Sequence, residues 1–138
     1  ENQVPKPVVQ ERYERLVELV DQIAWEENRK LEGTDVEVMF AVGEGRKDGE
    51  TQRMSGRARD NRLVHVAVSD DPAERPRPGD IATARITYAA PHHLNSDEPI
   101  RDLRRTRGGD AWQLREEGPA RPAGVGLGMP TLRPKAGA

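Results

Sequence analysis

From Thr34 to Ala90 the apolar residues recur at every second position, in short runs cut by Gly, Pro, Asp and Asn. That period restricts the chain more than any other feature, because side chains alternate between the two faces of an extended strand. Val36, Val38, Phe40 and Val42 alternate with Glu37, Met39 and Ala41. A second strand is predicted over about 51–59, where Arg53, Ser55, Arg57 and Arg59 share one face and Gln52, Met54, Gly56 and Ala58 the other. After a turn at Asp60-Asn61, Leu63–Val68 forms a third. A Pro-rich loop from Asp71 to Pro78 leads to a fourth, Asp80–Ala90, in which Ala82, Ala84, Ile86 and Tyr88 face one way and Thr83, Arg85 and Thr87 the other. Leu94 belongs to a short closing strand. Four or five short strands within about 65 residues predict a mainly β fold, a small antiparallel barrel whose closure hides its edges.

The period differs on either side of this block. In residues 7–30, Val9, Tyr13, Leu16, Val20 and Ile23 recur at spacings of four and three, the pattern of one helix face. Pro7 suits the first turn and Gly33 the end. The stripe covers about two heptads, short of a coiled coil, so it reads as a docking face onto another domain or onto the barrel. Residues 96–138 hold five prolines and seven glycines in 43 positions, a composition that reads as low-complexity tail. Asp110–Glu117 could make one or two helical turns but is too short to be stable alone. The expected organisation is therefore a helix over 1–32, a barrel over 33–96 and a tail over 97–138.

Composition excludes several classes of function. The chain has no cysteine, so thiolate catalysis, disulfides and cysteine-ligated metal within it are excluded. No apolar run approaches the roughly 20 residues that span a bilayer, and no signal-peptide pattern opens the chain, so the cytoplasm is the expected compartment, no membrane is expected as a partner, and a monomer is the expected state. The first residue is glutamate, which suggests a fragment of a longer protein. His92 and His93 are adjacent and point to opposite faces of an extended chain, so they do not chelate one ion together, and only His65 remains as a third imidazole. Gly43-x-Gly45 lies between strands and Gly124-x-Gly126-x-Gly128 lies in the tail, neither in the strand–loop–helix setting of a phosphate-cradling loop. No nucleophile–base arrangement stands out. No catalytic residue and no metal ligand is assigned.

The charge pattern is more informative. Net charge is −2, yet residues 43–62 carry six bases, Arg46, Lys47, Arg53, Arg57, Arg59 and Arg62, against four acids. With Val36, Val38, Phe40, Val64, Val66, Val68, Ala84 and Ile86 as core, Arg53, Arg57, Arg59, His65 and Arg85 fall on the outside of the barrel. A bulge at Gly56 would shift the phase beyond it. A solvated face alone accounts for outward charge, but such faces mix signs, and Arg53 to Arg62 holds one acid, Asp60. Arginine's planar fork suits phosphate. The candidate RNA-binding set is Arg53, Arg57, Arg59, Arg62, Arg46, Lys47, Arg85 and His65. Aromatic residues for stacking are scarce, which favours recognition of backbone and shape.

Val4-Pro5, then Arg12, Leu16, Ile23 and Asn28, then Gly33 and a strand, then Gly56-Arg57, Asn61, Val64, Gly79, Ile86, Ala89 and Leu94, in that order, resemble the C-terminal end of a radical S-adenosylmethionine methylthiotransferase. Residues 31–96 resemble its TRAM domain, an OB-like barrel that delivers RNA. The stretches MSGRARDNRLVHV and ITYAAPHHL resemble most the tRNA-modifying branch, of an actinobacterial kind. The resemblance implies a tRNA-binding module of an enzyme that adds a methylthio group to N6-isopentenyladenosine beside the anticodon. It implies an upstream catalytic domain as second partner, with two four-iron four-sulfur clusters and S-adenosylmethionine as the parent enzyme's cofactors and none in this chain. An RNA-facing role transfers to Arg57 of the Gly-Arg motif and to Arg53, Arg59 and Arg62. A sister branch that holds a ribosomal protein through the same domain supplies an alternative, and a structural cap on the catalytic barrel supplies another. Val66 stands where a phenylalanine is common, and Leu94-Asn95-Ser96 replaces the usual Leu-x-Gly.

Overall fold

The computed structural model describes residues 2–118. Helix α1 (Lys6–Arg29) leads into β1 (Asp35–Phe40), a one-turn helix α2 (Asp48–Thr51), β2 (Arg53–Ala58), β3 (Leu63–Ala67), β4 (Ile81–Arg85), β5 (Tyr88–Ala89), β6 (Leu94–Ser96), β7 (Asp102–Arg104) and α3 (Arg107–Glu117). The strands form one sheet in the order β5-β6-β3-β2-β1-β4-β7. All its ladders are antiparallel except β3–β6, which is parallel. The fold is thus mainly β, preceded by one helix. The barrel expectation is met in part: among the described residues no ladder closes the sheet, but β4 and β5 are two halves of one extended segment. Ile86 bonds toward β1, its N–H to the Thr34 carbonyl at 2.9 Å, while the N–H of Thr87 turns to the Asn95 carbonyl at 2.8 Å. The chain thus turns a corner between them.

That corner corrects one strand phase. Ala82, Ala84 and Ile86 are buried as the alternation requires, but Tyr88 is 45% exposed and Ala89 fully buried. The turn between Ile86 and Thr87 carries the chain onto a different neighbour and flips which residues point inward. Val42 is also outside the core, since β1 ends at Phe40 and the chain leaves through Gly43 at φ 81°.

The inner face follows from register. Phe40, Gly56, Val64, Leu94 and Ala89 lie side by side across five strands. Val38 sits between Ala58 and Ala82 in the next row. Phe40, Val38, Val64, Val66, Ala84, Ile86 and Leu94 are all at most 1% exposed. Val66 and Leu94 are therefore both core residues. Gly56 is no bulge, for the β2–β3 register runs unbroken from Arg53 to Arg57. It is glycine because β1 crosses too closely: a Cβ there would run into the Met39 carbonyl. The phase of β2 is therefore continuous, and Arg57 stays on the same face as Arg53 and Ser55.

Helix α1 touches the sheet only through its last turns. Its stripe of Val9, Tyr13, Leu16, Val20 and Ile23 is 49–61% exposed, so it does not pack onto the sheet. The joint is Asn28, 6% exposed, whose Nδ2 donates to the carbonyls of Ala90 (2.6 Å) and Pro91 (3.2 Å) while Oδ1 accepts from Arg62 Nε (2.8 Å). Trp25 meets Tyr88 edge-on, ring centres 6.4 Å apart.

Beyond residue 96, where composition predicts tail, the fold continues. β7 pairs with β4, and α3 starts at Thr106, whose Oγ1 accepts from the Gly109 N–H at 3.1 Å as an N-cap. Asp80 ties both to the sheet. It is fully buried and accepts from the Arg77 N–H, the Arg77 and Arg105 guanidinium groups and the Thr106 N–H, at 2.9 to 3.2 Å. The averaged composition hides this segment because its prolines lie mostly after Gly118. The Gly124–Gly128 stretch and the rest of the tail lie outside the described residues.

Candidate nucleic-acid interface

On the outer side of the sheet the register sets Ser55, His65, Asn95 and Tyr88 in one row across β2, β3, β6 and β5. The segment 44–51 folds over the start of this row. Asp48 in α2 accepts from Ser55 twice, through the backbone N–H (2.9 Å) and through Oγ (2.7 Å), so Ser55 is only 1% exposed although it faces outward. Ser55 Oγ also lies 2.6 Å from His65 Nδ1. A hydroxyl donates once, and the Asp48 carboxylate takes that proton; the hydroxyl then accepts from the His65 Nδ1–H. In a hydrolytic triad the histidine takes the serine proton instead, so this arrangement braces the loop and has no activated nucleophile. Burial, and next His93 at a ring distance of 5.3 Å, hold the His65 pKa below the usual histidine value, with Asp48 acting in the opposite direction.

Beside this row opens a hollow of about 410 Å³, lined among others by Arg46, Lys47, Arg53, His65, His93 and Asn95. It brings together four of the eight residues singled out from sequence. Arg57 stands at its edge, held by Glu44 at 2.9 Å. The other three lie apart. Arg59 pairs with Glu37 at 2.6 Å, Arg85 pairs with Asp35 at 2.9 Å, and Arg62 bonds to Asp60 and to Asn28 of α1. Arg53 pairs with Asp97. Arg46 and Lys47 are exposed, and of the candidate cations they are the two with no acidic partner among the described residues. Exposed ion pairs contribute little and exchange partners readily, so the paired arginines remain usable by a phosphate, but they must first release a carboxylate.

Sequence reasoning missed His93, Asn95 and Asp48 as members of this site. For Asn95 the missing signal is register: it joins His65 only through a parallel ladder between strands about thirty residues apart, which alternation in one strand cannot reveal. His92, beside His93, lies elsewhere, 3.4 Å from Asp21 of α1 and 78% exposed. Among the described residues no three His, Asp or Glu side chains are grouped as a metal site, and no helix is long and apolar enough to cross a membrane.

The chain is 61% identical over 132 residues to a tRNA-2-methylthio-N(6)-dimethylallyladenosine synthase of a Nocardioides species, a match covering 95% of this chain and 26% of that protein. The synthases of the same name from Thermobifida fusca (61% over 132 residues) and Streptomyces viridosporus (59% over 133 residues) match 96% of the chain and again 26% of their own length. No family model matches the chain. The chain spans about a quarter of the length of the curated relatives it matches.

Proposed function

We propose, on the premise that this chain belongs to the tRNA-2-methylthio-N(6)-dimethylallyladenosine synthase family as a segment about a quarter of its relatives' length, that it is the module with which such an enzyme grips its tRNA. The observation that carries this reading is the gathering of Arg46, Lys47, Arg53 and His65 around one hollow on the outer face of the sheet, with Arg46 and Lys47 having no acidic partner among the described residues. Phosphate contacts position a nucleic acid, and arginine and lysine make most of them. The segment 31–96 then acts as a TRAM barrel, in the cytoplasm, holding an anticodon-loop adenosine toward a catalytic domain elsewhere in the enzyme, where the methylthio group is added. The exposed apolar stripe of α1 suits docking onto that domain.

The chain itself supplies grip and no chemistry. Four-iron four-sulfur clusters are held by cysteine thiolates, and with no cysteine these residues do not fit one. In this reading the two clusters and S-adenosylmethionine belong to the catalytic domain.

Titration of the chain with tRNA at increasing salt tests the reading. Affinity is expected to fall with a log–log slope of roughly −2 to −4, since each neutralised phosphate contributes roughly −0.7 to −0.9. Binding that ignores salt, or preference for a basic ribosomal protein over tRNA, contradicts it.

A further inference from the structure

We propose that the hollow beside α2 is a subsite for one nucleotide, in which Arg46 and Lys47 hold the phosphodiester, the His65–His93 pair forms the surface against which the base packs, and Asn95 accepts a hydrogen bond from the base's amino edge. This rests on the tRNA reading and deepens it. The arrangement differs from the backbone-only recognition that the scarcity of Phe, Tyr and Trp predicts, because two imidazoles provide the missing π-surface.

Four features converge. The volume, about 410 Å³, lies in the roughly 300–1,000 Å³ range of small-ligand sites. The acids lining it are engaged, Glu44 with Arg57 and Asp48 by hydrogen bonds from both polar groups of Ser55, and Arg46 and Lys47 are the lining arginine and lysine side chains with no acidic partner among the described residues. Asn95, placed opposite His65 by the β3–β6 register, buries its Oδ1 with no donor partner among the described residues. A buried acceptor left unbonded is costly, and a turn of the Asn95 side chain into the hollow it lines, where a base N–H reaches it, removes the cost. His65 is fixed for the purpose, its Nδ1 tied to Ser55 and its ring edge-on to His93, 5.3 Å between centres. Histidine is among the side chains on which splayed RNA bases stack.

The test measures tRNA affinity and unfolding for the chain and for His93→Ala, Asn95→Leu and, as a control outside the hollow, His92→Ala. His93→Ala is expected to weaken binding about five- to tenfold, the low end of base–aromatic stacking. Asn95→Leu is expected to weaken it several-fold while leaving the unfolding midpoint equal or higher, because it removes an acceptor that the free chain does not satisfy. His92→Ala is expected to bind as the parent does. If tRNA binds but neither His93→Ala nor Asn95→Leu changes affinity by more than about twofold, the subsite is wrong and the tRNA reading stands. If the unsubstituted chain does not bind tRNA, both fall. A loss with Asn95→Leu that tracks a lowered midpoint shows a structural role for Asn95 and also overturns the assignment.

Discussion

Replacing Asp80 with alanine is expected to lower the unfolding free energy by about 3–5 kcal/mol, the usual result of removing one partner from a buried charge network. Asp80 is fully buried and takes hydrogen bonds from Arg77, Arg105 and the Thr106 N–H. Its removal leaves the Arg77 guanidinium with Asp110 and Gln113 of α3 as its remaining side-chain partners among the described residues, and weakens the link between α3 and the sheet. Denaturant unfolding measures the total, and amide exchange locates it in α3 and the loop 72–79. Thr106→Ala, which removes the cap and also the Thr106 Oγ1 donation to the Gly79 carbonyl (2.6 Å), is expected to cost about 1–2 kcal/mol and to loosen α3 with its link to Gly79. An Asp80→Ala chain as stable as its parent would show that this network is incidental. Acid acts on the same group. Burial pushes the Asp80 carboxyl up, but the Arg77 side chain and backbone, the Thr106 N–H and Arg105 outweigh it and hold the pKa at about 2. Its contribution to stability is therefore complete above the ordinary carboxyl range and is lost as pH falls toward 2.

The second large effect concerns binding. Arg46→Glu with Lys47→Glu is expected to reduce tRNA affinity at least about 100-fold at low salt. Two charge-assisted contacts worth about 1.5–3 kcal/mol each disappear and two repulsive charges replace them. The unfolding free energy is expected to stay within about 0.5 kcal/mol, because both side chains are exposed and hold no acid in place. Arg59→Glu is the informative comparison: Arg59 already pairs with Glu37 away from the hollow, so its reversal is expected to change affinity much less. Equal losses from the two changes would mean that net charge, not the site, governs binding.

The sequence made the sheet legible wherever a strand alternates without interruption. Val36, Val38 and Phe40, then Val64 and Val66, declare their faces by spacing alone, and the outward phase of Arg53 and Arg57 followed from the inward Met54 and Ala58. Helix α1 was readable from its stripe because the helical period is sustained along most of its length. Three things were not. The flip at Ile86–Thr87 depends on which neighbour the chain bonds after the corner. Strand β7 and helix α3 depend on Asp80, whose donors come from residues up to 26 positions away. The hollow depends on the β3–β6 ladder, which no local pattern encodes. Charge sign was visible in the sequence, but the pairing that leaves Arg46 and Lys47 free while occupying Arg59, Arg62 and Arg85 is a property of the folded surface.

The most direct measurement is a chemical-shift map of the chain's backbone amides on titration with a tRNA anticodon stem–loop. An interface around the hollow predicts the largest shifts at residues 44–51, Ser55, His65 and His93–Asn95, with little change along the exposed stripe of α1. Shifts confined to that stripe, or to the Asp35–Arg85 side of the sheet, would contradict it.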